Sequence, residues 1–417
     1  MRIFFQDIHG TLTESIASVL DSFNAVLLLG DASFSSVIDC GICHTRESIK
    51  ARGPNVQLVS FQELIDAPPD IVLLSCYHVE AGIINKIWPH LQHKSRLVMY
   101  DGNNYSPGRR YDLVKYVVTS DCLTWKKCAR EKQTLLFYPP CDYNKFSWQG
   151  HSDCRRLGCY INSYSQLFPR DFAFTKGIQS SLSRKNIEIA FNDFTPHEQM
   201  LSVMKNSSGT MHIKPWEGYG FSIIESLASG RPVFLYEPYS LLKSYRNWCI
   251  AEKTAVYFNS RNELMRKFGR FFSDDDYRYR LQENAAQTVR TLVNFEEQSD
   301  NLKKYFHYVL DDKQTAPVFA LKKVQPGPSA GYPSTVWKRV EAALDESDCA
   351  VLGKIAKPDK KIHRIHVPLY ACAAFIRSFF FKGRIFRGVS GFVDSVSVAI
   401  FVFYYLKLGV LKKPKNR

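Results

Sequence analysis

A strand, a glycine-rich loop, a short helix and a second strand follow one another between residues 211 and 236. In the loop, Gly218 and Gly220 are separated by a single residue. Phe221 to Ser229 carries apolar residues at spacings of three and four, which predicts a helix that Gly230 ends. Such a unit places the free N–H groups of a helix start at the carboxyl edge of a parallel sheet, where they can hold an anion. The stretch therefore favours a doubly wound α/β domain with a ligand site at this turn.

Two glutamates belong to the same stretch. Glu217 stands in the loop, and Glu225 follows eight positions later inside the predicted helix. Because Glu225 lies about one helical turn beyond Phe221, both carboxylates could border one crevice. An ordinary βαβ turn could also carry two solvated glutamates. The common register of the glycines, the acids and the helix end favours a functional pair.

The stretch resembles the E-x7-E signature of the retaining GT-B glycosyltransferases of family 4, also called glycosyl transferases group 1. In the pattern E-G-F-G-L-x-x-x-E, Tyr219 replaces the Phe and Phe221 replaces the Leu. The other matching positions, which continue into A-x-G-x-P-V, are Glu217, Gly218, Gly220, Glu225, Ala228, Gly230, Pro232 and Val233. The resemblance implies an α/β fold in which two Rossmann-like domains face each other across a cleft.

A second match lies upstream, in a segment that is similar to the family's connection between its two domains, P-x-G-x-D-x-x-x-F. Cys141 stands near the usual glycine of that pattern. The matching residues are Pro139, Pro140, Asp142 and Phe146. Two matches in the family's order strengthen the resemblance.

The resemblance also implies a set of site residues. Family members grip the donor's diphosphate with an Arg and with a Lys-Gly pair that opens a helix. Lys176-Gly177 fits the pair, and Arg170 is the nearest arginine, although it could equally be a surface charge of a loop. The catalytic residues implied are thus Glu217, Lys176 and Arg170, and those binding the donor are Glu225, Gly218, Tyr219, Gly220, Phe221 and Ser222.

Apolar β-rich runs alternate with helical patterns along most of the chain, which is typical of parallel sheets covered on both faces. The expected organisation is a Rossmann-like acceptor-side domain over residues 1–145 and a Rossmann-like nucleotide-sugar domain over residues 146–310. A helix over Phe295 to Leu310 resembles the family's closing helix, which crosses back onto the first domain. A proline- and glycine-containing linker, 311–335, and a basic, aromatic helical tail, 336–417, complete the chain.

No cofactor and no metal is expected. Asp274-Asp275-Asp276 contains the D-x-D pattern with which GT-A glycosyltransferases hold a divalent metal. Here Ser273 is expected to cap a helix that begins at Asp274, since three acids in a first turn suit the helix dipole. The sequence has eleven cysteines without regular spacing and begins with a strand-like run, so reduced thiols in a cytoplasmic protein are expected.

The basic charge is concentrated at the end of the chain. The formal net charge is +15, and residues 354–417 hold fourteen Lys or Arg against Asp359 and Asp394, a net +12. The nearly balanced remainder argues against nucleic-acid binding. In the aromatic segment Val389 to Leu411, the longest uncharged stretch, Ser395 to Leu406, has twelve residues and is too short to span a bilayer. The tail could therefore form an interfacial helix on the anionic inner face of the cytoplasmic membrane. Alternatively, it could form a pair of helices packed on the protein's own surface or on a second subunit.

The function implied is transfer of a hexose, with retention, from a nucleotide-diphosphate sugar to a glycan or lipid-linked glycan. The basic tail, which weakly resembles that of some lipopolysaccharide-assembly transferases, favours bacterial surface polysaccharide synthesis (O-antigen, capsule or lipopolysaccharide). Two alternatives stay open: a GT-B epimerase acting on the nucleotide sugar, and a non-catalytic GT-B scaffold in a polysaccharide-assembly complex. Function follows from the site and not from the fold.

Overall fold

The structure, a computed structural model, describes eleven stretches of the chain. They are residues 1–6, 10–36, 44–45, 53–75, 82–102, 111–148, 150–160, 169–191, 197–213, 219–240 and 243–311. All of them belong to one compact unit, Met1–Pro326. The linker and the tail expected beyond residue 311 lie outside the described residues.

The first half of the described chain forms a sheet of seven parallel strands in the order β3-β2-β1-β4-β5-β6-β7. A π-helical turn, Ile83–Ile87, runs directly into the third helix of this half. The strands and helices, in chain order, are β1 Arg2–Gln6, α1 Gly10–Asp21, β2 Val26–Gly30, β3 Val56–Val59, α2 Phe61–Asp66, β4 Ile71–Leu74, α3 Trp88–Leu91, β5 Arg96–Asp101, β6 Tyr116–Thr119, α4 Cys122–Cys128 and β7 Gln133–Leu136.

The second half forms a sheet of five parallel strands in the order β12-β11-β10-β8-β9. Its elements are β8 Arg156–Cys159, α5 Pro169–Ser183, β9 Glu188–Phe191, α6 His197–Lys205, β10 Gly209–His212, α7 Phe221–Ala228, β11 Val233–Tyr236, α8 Glu237–Ser240, β12 Ala255–Phe258, α9 Arg261–Ser273, α10 Asp275–Leu292 and α11 Phe295–Leu310.

Apolar side chains cover both faces of each sheet. Strands β4, β6, β10, β11 and β12 are buried along their whole length, as expected of parallel strands between two layers of helices. Burial of this apolar surface is the main favourable contribution to folding. The α/β, doubly wound organisation predicted from the sequence is confirmed.

The last described helix, α11, packs against the first sheet although it follows the second one in the chain. Leu302, Tyr305 and Phe306 are buried in the core that covers one face of the first sheet. The hydroxyl of Tyr305 donates to the carbonyl oxygens of Gln133, 2.7 Å away, and Val117, 3.1 Å away. The chain therefore returns to its first half, as the resemblance implied.

Polar contacts also join the two halves. The Ser244 hydroxyl donates to the Asp121 carboxylate, 3.3 Å away, and accepts from the amide N–H of Cys122, 3.2 Å away. The side-chain amide of Asn247 donates to the Tyr138 hydroxyl at 3.0 Å and to the Cys122 sulfur at 3.3 Å. These bonds fix the segment after β11 against the start of α4.

Candidate functional site

The order of the second sheet creates a crevice at its carboxyl edge. Strands β8 and β10 are neighbours, but the chain leaves β8 towards β9 on one side and β10 towards β11 and β12 on the other. Ligands of open α/β sheets bind at such a reversal, outside the carboxyl ends of the strands. Tyr160 follows β8 and Ile213 follows β10, so both stand at this point. The candidate site is therefore at the end of β10, where α7 begins.

Helix α7 starts from a glycine in the left-handed conformation. Gly220 has φ 80° and ψ 66°, which residues with a Cβ atom rarely adopt. The carbonyl oxygen of Gly220 accepts from the amides of Ile223, at 3.0 Å, and Ile224, at 3.1 Å. Within the described residues, no group accepts from the amides of Phe221 and Ser222. The described residues thus leave two N–H groups and the positive end of the helix without a partner, and an anion could bind there.

Glu225 lies on the buried side of α7, with 1% of its surface exposed. Its charge acts on Tyr160 and Cys141. Burial is the main cause that raises the pKa of the Tyr160 hydroxyl well above its usual value, and the Glu225 carboxylate adds to it. The pKa of the Cys141 thiol is raised in the same way, first by burial and then by Glu225. Tyr160 directly follows β8 and Cys141 lies in the connection that joins the two halves, so the charge of Glu225 influences both segments.

Tyr160 was not selected by the motifs, yet it belongs to the same crevice. Its ring stacks on the imidazole of His212 with centroids 5.4 Å apart and planes 18° apart. Nε2 of His212 is 2.9 Å from the Thr210 hydroxyl. The hydroxyls of Tyr160 and Ser222 are buried, and neither has a hydrogen-bond partner in the part of the chain that the structure describes. The only sequence signal for Tyr160 is its place directly after a buried strand.

Lys176 lies at the same edge but not at the start of a helix. Helix α5 begins at Pro169, a favoured first helical residue, so Lys176 and Gly177 lie within it. The resemblance led us to expect the pair to open the helix, and that expectation is wrong. The Lys176 ammonium is exposed, lies 4.2 Å from the centroid of the Phe191 ring at the end of β9, and is 3.3 Å from Oε1 of Gln179.

Three of the predicted site residues are described only in part or not at all. Glu217 and Gly218 lie outside the described residues. Arg170 is the second residue of α5, and its side chain lies outside what the structure describes. Tyr219, by contrast, is buried beside α7, and its hydroxyl donates to the carbonyl oxygen of Pro139. The structure thus brings Tyr219, Gly220, Phe221, Ser222 and Glu225 together.

The D-x-D segment is part of a helix cap. The cap is Asp274, whose carboxylate accepts from the Tyr277 amide at 2.9 Å, and not Ser273, which is the last residue of α9. Asp275 pairs with Arg278 at 2.7 Å. Among the described residues, no three His, Cys, Asp or Glu side chains are grouped so that they could hold a metal ion. None of the described helices is both long and apolar enough to cross a membrane.

Comparison with known proteins relates this chain to others by structure alone. No model of a known protein family matches the sequence, and no curated protein matches it either. Among solved structures, sucrose-phosphate synthase from Thermosynechococcus elongatus matches with a TM-score of 0.51 at 12% identity, over 75% of this chain and 100% of that one. A glycosyltransferase from Rickettsia africae matches with a TM-score of 0.54 at 12% identity, over 75% of this chain and 98% of that one.

A third match is HepE from Anabaena, whose structure was determined in complex with UDP. It has a TM-score of 0.52 at 12% identity and covers 74% of this chain and 100% of that one. A structure of HepE with UDP and glucose matches with a TM-score of 0.53 at 11% identity. That match covers 73% of this chain and 98% of the HepE chain. The chain therefore has the fold of these proteins, the GT-B arrangement of two Rossmann-like sheets.

Proposed function

We propose that the protein is a glycosyltransferase that uses a nucleotide-diphosphate sugar as its donor. One observation carries the proposal: the amides of Phe221 and Ser222, which have no acceptor among the described residues, follow a left-handed Gly220, with the buried Glu225 one turn further on. The amides suit a diphosphate, and a buried carboxylate suits the hydroxyls of a ribose. The shared fold supports this choice, because HepE binds UDP.

The reaction is transfer with retention, and its barrier comes from an oxocarbenium-like centre formed as the diphosphate leaves. Positive charge placed around the departing oxygens lowers that barrier. Lys176, Arg170 and the amides of Phe221 and Ser222 supply it, so no metal is required. Glu225 holds the ribose and Glu217 the hydroxyls of the donor sugar. The leaving phosphate takes the proton of the acceptor hydroxyl.

The acceptor we propose is a lipid-linked glycan of bacterial surface polysaccharide synthesis, such as O-antigen, capsule or lipopolysaccharide. The net +12 of residues 354–417 supports this part of the proposal. Each Lys or Arg near an anionic leaflet contributes about 1 kcal/mol, which would hold the protein at the inner face of the cytoplasmic membrane. The substrate would then lie in the surface to which the enzyme is bound.

A panel of nucleotide sugars, incubated with and without glycan acceptors, tests the proposed activity. Release of nucleotide that depends on the acceptor, and that continues in EDTA, is the expected result. An altered sugar without an acceptor would instead identify an epimerase. If no nucleotide sugar of the panel were turned over and no nucleotide were bound, the protein would be a non-catalytic scaffold.

Vesicles test the proposed membrane association. The full chain is expected to sediment with anionic vesicles and to be partly released by high salt, because salt screens the electrostatic part of binding and leaves the apolar part. Vesicles of neutral lipid serve as the control. Equal binding to both kinds of vesicle, or to neither, would contradict an electrostatic role of the tail.

A further inference from the structure

Tyr219 connects the turn before α7 to the other half of the protein. Its hydroxyl donates a hydrogen bond to the carbonyl oxygen of Pro139, 2.8 Å away and 80 positions earlier in the sequence. Pro139 lies just beyond β7, in the connection between the two sheets. Both the Tyr219 side chain and this bond are buried. The turn is therefore attached to a segment outside its own sheet.

Aromatic packing fixes the ring that carries this hydroxyl. Tyr219 stacks on Tyr138 with centroids 6.1 Å apart and planes 16° apart. Trp248 packs its edge against the same ring at 5.2 Å, and Phe221 does so at 5.3 Å. A phenylalanine, which the E-G-F-G-L pattern has at this position, could make all three ring contacts. Only the tyrosine hydroxyl can add the bond to Pro139.

The attachment matters because of the residues on either side of Tyr219. Gly218 and Gly220 flank it, and glycine has more conformational freedom to lose than any other residue. Gly220 has φ 80° and directly precedes the amides of Phe221 and Ser222, so its backbone conformation sets the direction of both N–H groups. Tyr219 is the only side chain between these glycines. A buried bond at this side chain therefore restricts the backbone that orients both amides.

We propose that Tyr219 is a positioning residue whose hydroxyl, through Pro139, holds the anion-binding turn in the conformation that presents the Phe221 and Ser222 amides to the diphosphate. This role rests on the proposed function of that turn. Tyr219 acts through the backbone and need not touch the substrate. The bond also ties the donor-binding turn to the connection between the sheets.

Tyr305 offers a matched control for a purely structural role. Its hydroxyl is also buried and also donates to backbone carbonyls, those of Gln133 and Val117. It lies against the first sheet, and both carbonyls that accept from its hydroxyl belong to strands of that sheet, β6 and β7. If both hydroxyls only stabilise the fold, Tyr219→Phe and Tyr305→Phe should lower the unfolding midpoint alike and leave ligand binding unchanged.

Two measurements on the full chain test the inference. The first is hydrogen exchange of the amides of residues 220–225, which reports the order of the turn without any ligand. We expect Tyr219→Phe to speed this exchange and Tyr305→Phe to leave it unchanged. The second is the affinity for UDP and other nucleoside diphosphates, measured by calorimetry. Tyr219→Phe should weaken it roughly 3- to 10-fold, the range of one net hydrogen bond, and Tyr305→Phe should not.

The outcomes separate this inference from the function on which it rests. Unchanged exchange and unchanged affinity in Tyr219→Phe, or equal changes in both variants, would overturn the role of Tyr219. A wild type that binds no nucleoside diphosphate would refute the proposed function and the purpose assigned to Tyr219. Thermal melts of both variants establish that each is folded under the conditions used.

Discussion

The ring of Tyr160 lies flat against the imidazole of His212, with their planes only 18° apart, and its hydroxyl has no hydrogen-bond partner among the described residues. Tyr160 directly follows β8, and His212 is the last residue of the neighbouring strand β10, at the reversal of the second sheet. A buried hydroxyl without a partner costs about 1–3 kcal/mol of desolvation. Natural sequences retain such a group mainly where it has another use, such as a ligand contact.

Replacing Tyr160 by Phe should therefore stabilise the protein without ligand. The expected gain in the free energy of unfolding is about 1 kcal/mol, since the ring stays and only the unsatisfied hydroxyl is lost. Tyr257→Phe is the control, because the Tyr257 hydroxyl donates to the Cys249 carbonyl at 2.6 Å and its loss should destabilise. Denaturant unfolding measures both. A less stable Tyr160→Phe would show that the hydroxyl is satisfied, for example by water.

Glu225→Gln should weaken donor binding, because an amide holds ribose hydroxyls less strongly than a carboxylate. A hydrogen bond to a charged group contributes about 1.5–3 kcal/mol, so the dissociation constant for UDP should rise by at least about tenfold. Glu263→Gln is a control on α9, where the carboxylate accepts from the Asn259 amide at 2.9 Å. Calorimetry measures the affinity. Equal affinity in wild type and Glu225→Gln would contradict the assignment of Glu225 to the donor.

The sequence was most informative where a signal is local. Val233 to Tyr236 was predicted as a strand because strands covered on both faces are continuous apolar runs, and all four residues are buried. The expected N-cap of α10, Ser273, is wrong, because the cap is its neighbour Asp274. Ser273 and Asp274 are both good caps, and only the length of the preceding helix, which includes Ser273, selects Asp274.

Contacts between distant segments could not be read from the sequence. Tyr160 meets His212 only because β8 and β10 are neighbours in register, and Tyr219 meets Pro139 only because the two sheets share a connection. Periodicity reports which face of an element is apolar, and it carries no information about which strand lies alongside. The motif therefore predicted the turn and the helix that carries Glu225, while the contacts of Tyr160 and Tyr219 could be found only from the structure.

Lys176→Ala should lower turnover by at least about tenfold, because removing one group that stabilises charge in a transition state costs about 2.7–4 kcal/mol. The Lys176 ammonium lies by the Phe191 ring at the end of β9, at the same edge of the second sheet as the start of α7, where the diphosphate is expected. Lys185→Ala is the control, because Lys185 lies just past the C-terminal end of α5, before β9 begins, at the opposite edge of the sheet from the expected diphosphate. Steady-state kinetics with the donor found in the panel measures both. Similar turnover in the two variants would place the cation that binds the diphosphate elsewhere.

Asp121 gives a prediction for the dependence of stability on pH. Its carboxylate caps α4 by accepting from the Thr124 amide at 2.7 Å, and it also accepts from Ser244 in the other half of the protein. Burial, with a smaller contribution from the charge of Asp101, raises the pKa of this carboxyl in the folded protein. The folded state therefore binds the proton of Asp121 more tightly than the unfolded state does. The resulting stabilisation is complete below the pKa of the unfolded state, about 3.9, and is lost as the pH rises from there through the higher pKa of the folded state.

Asp121→Asn removes that titration and keeps the cap, because an asparagine oxygen can accept from the Thr124 amide. The unfolding free energy of the variant relative to wild type should be lowest near pH 3.5 and should increase with pH until Asp121 is ionised in the folded protein as well. Asp121→Ala should show the same pH trend, offset downwards by about 1 kcal/mol at every pH for the lost cap. Urea unfolding of the three proteins between pH 3.5 and 8 measures the differences. A constant difference between Asp121→Asn and wild type would show that the buried carboxyl does not titrate in this range.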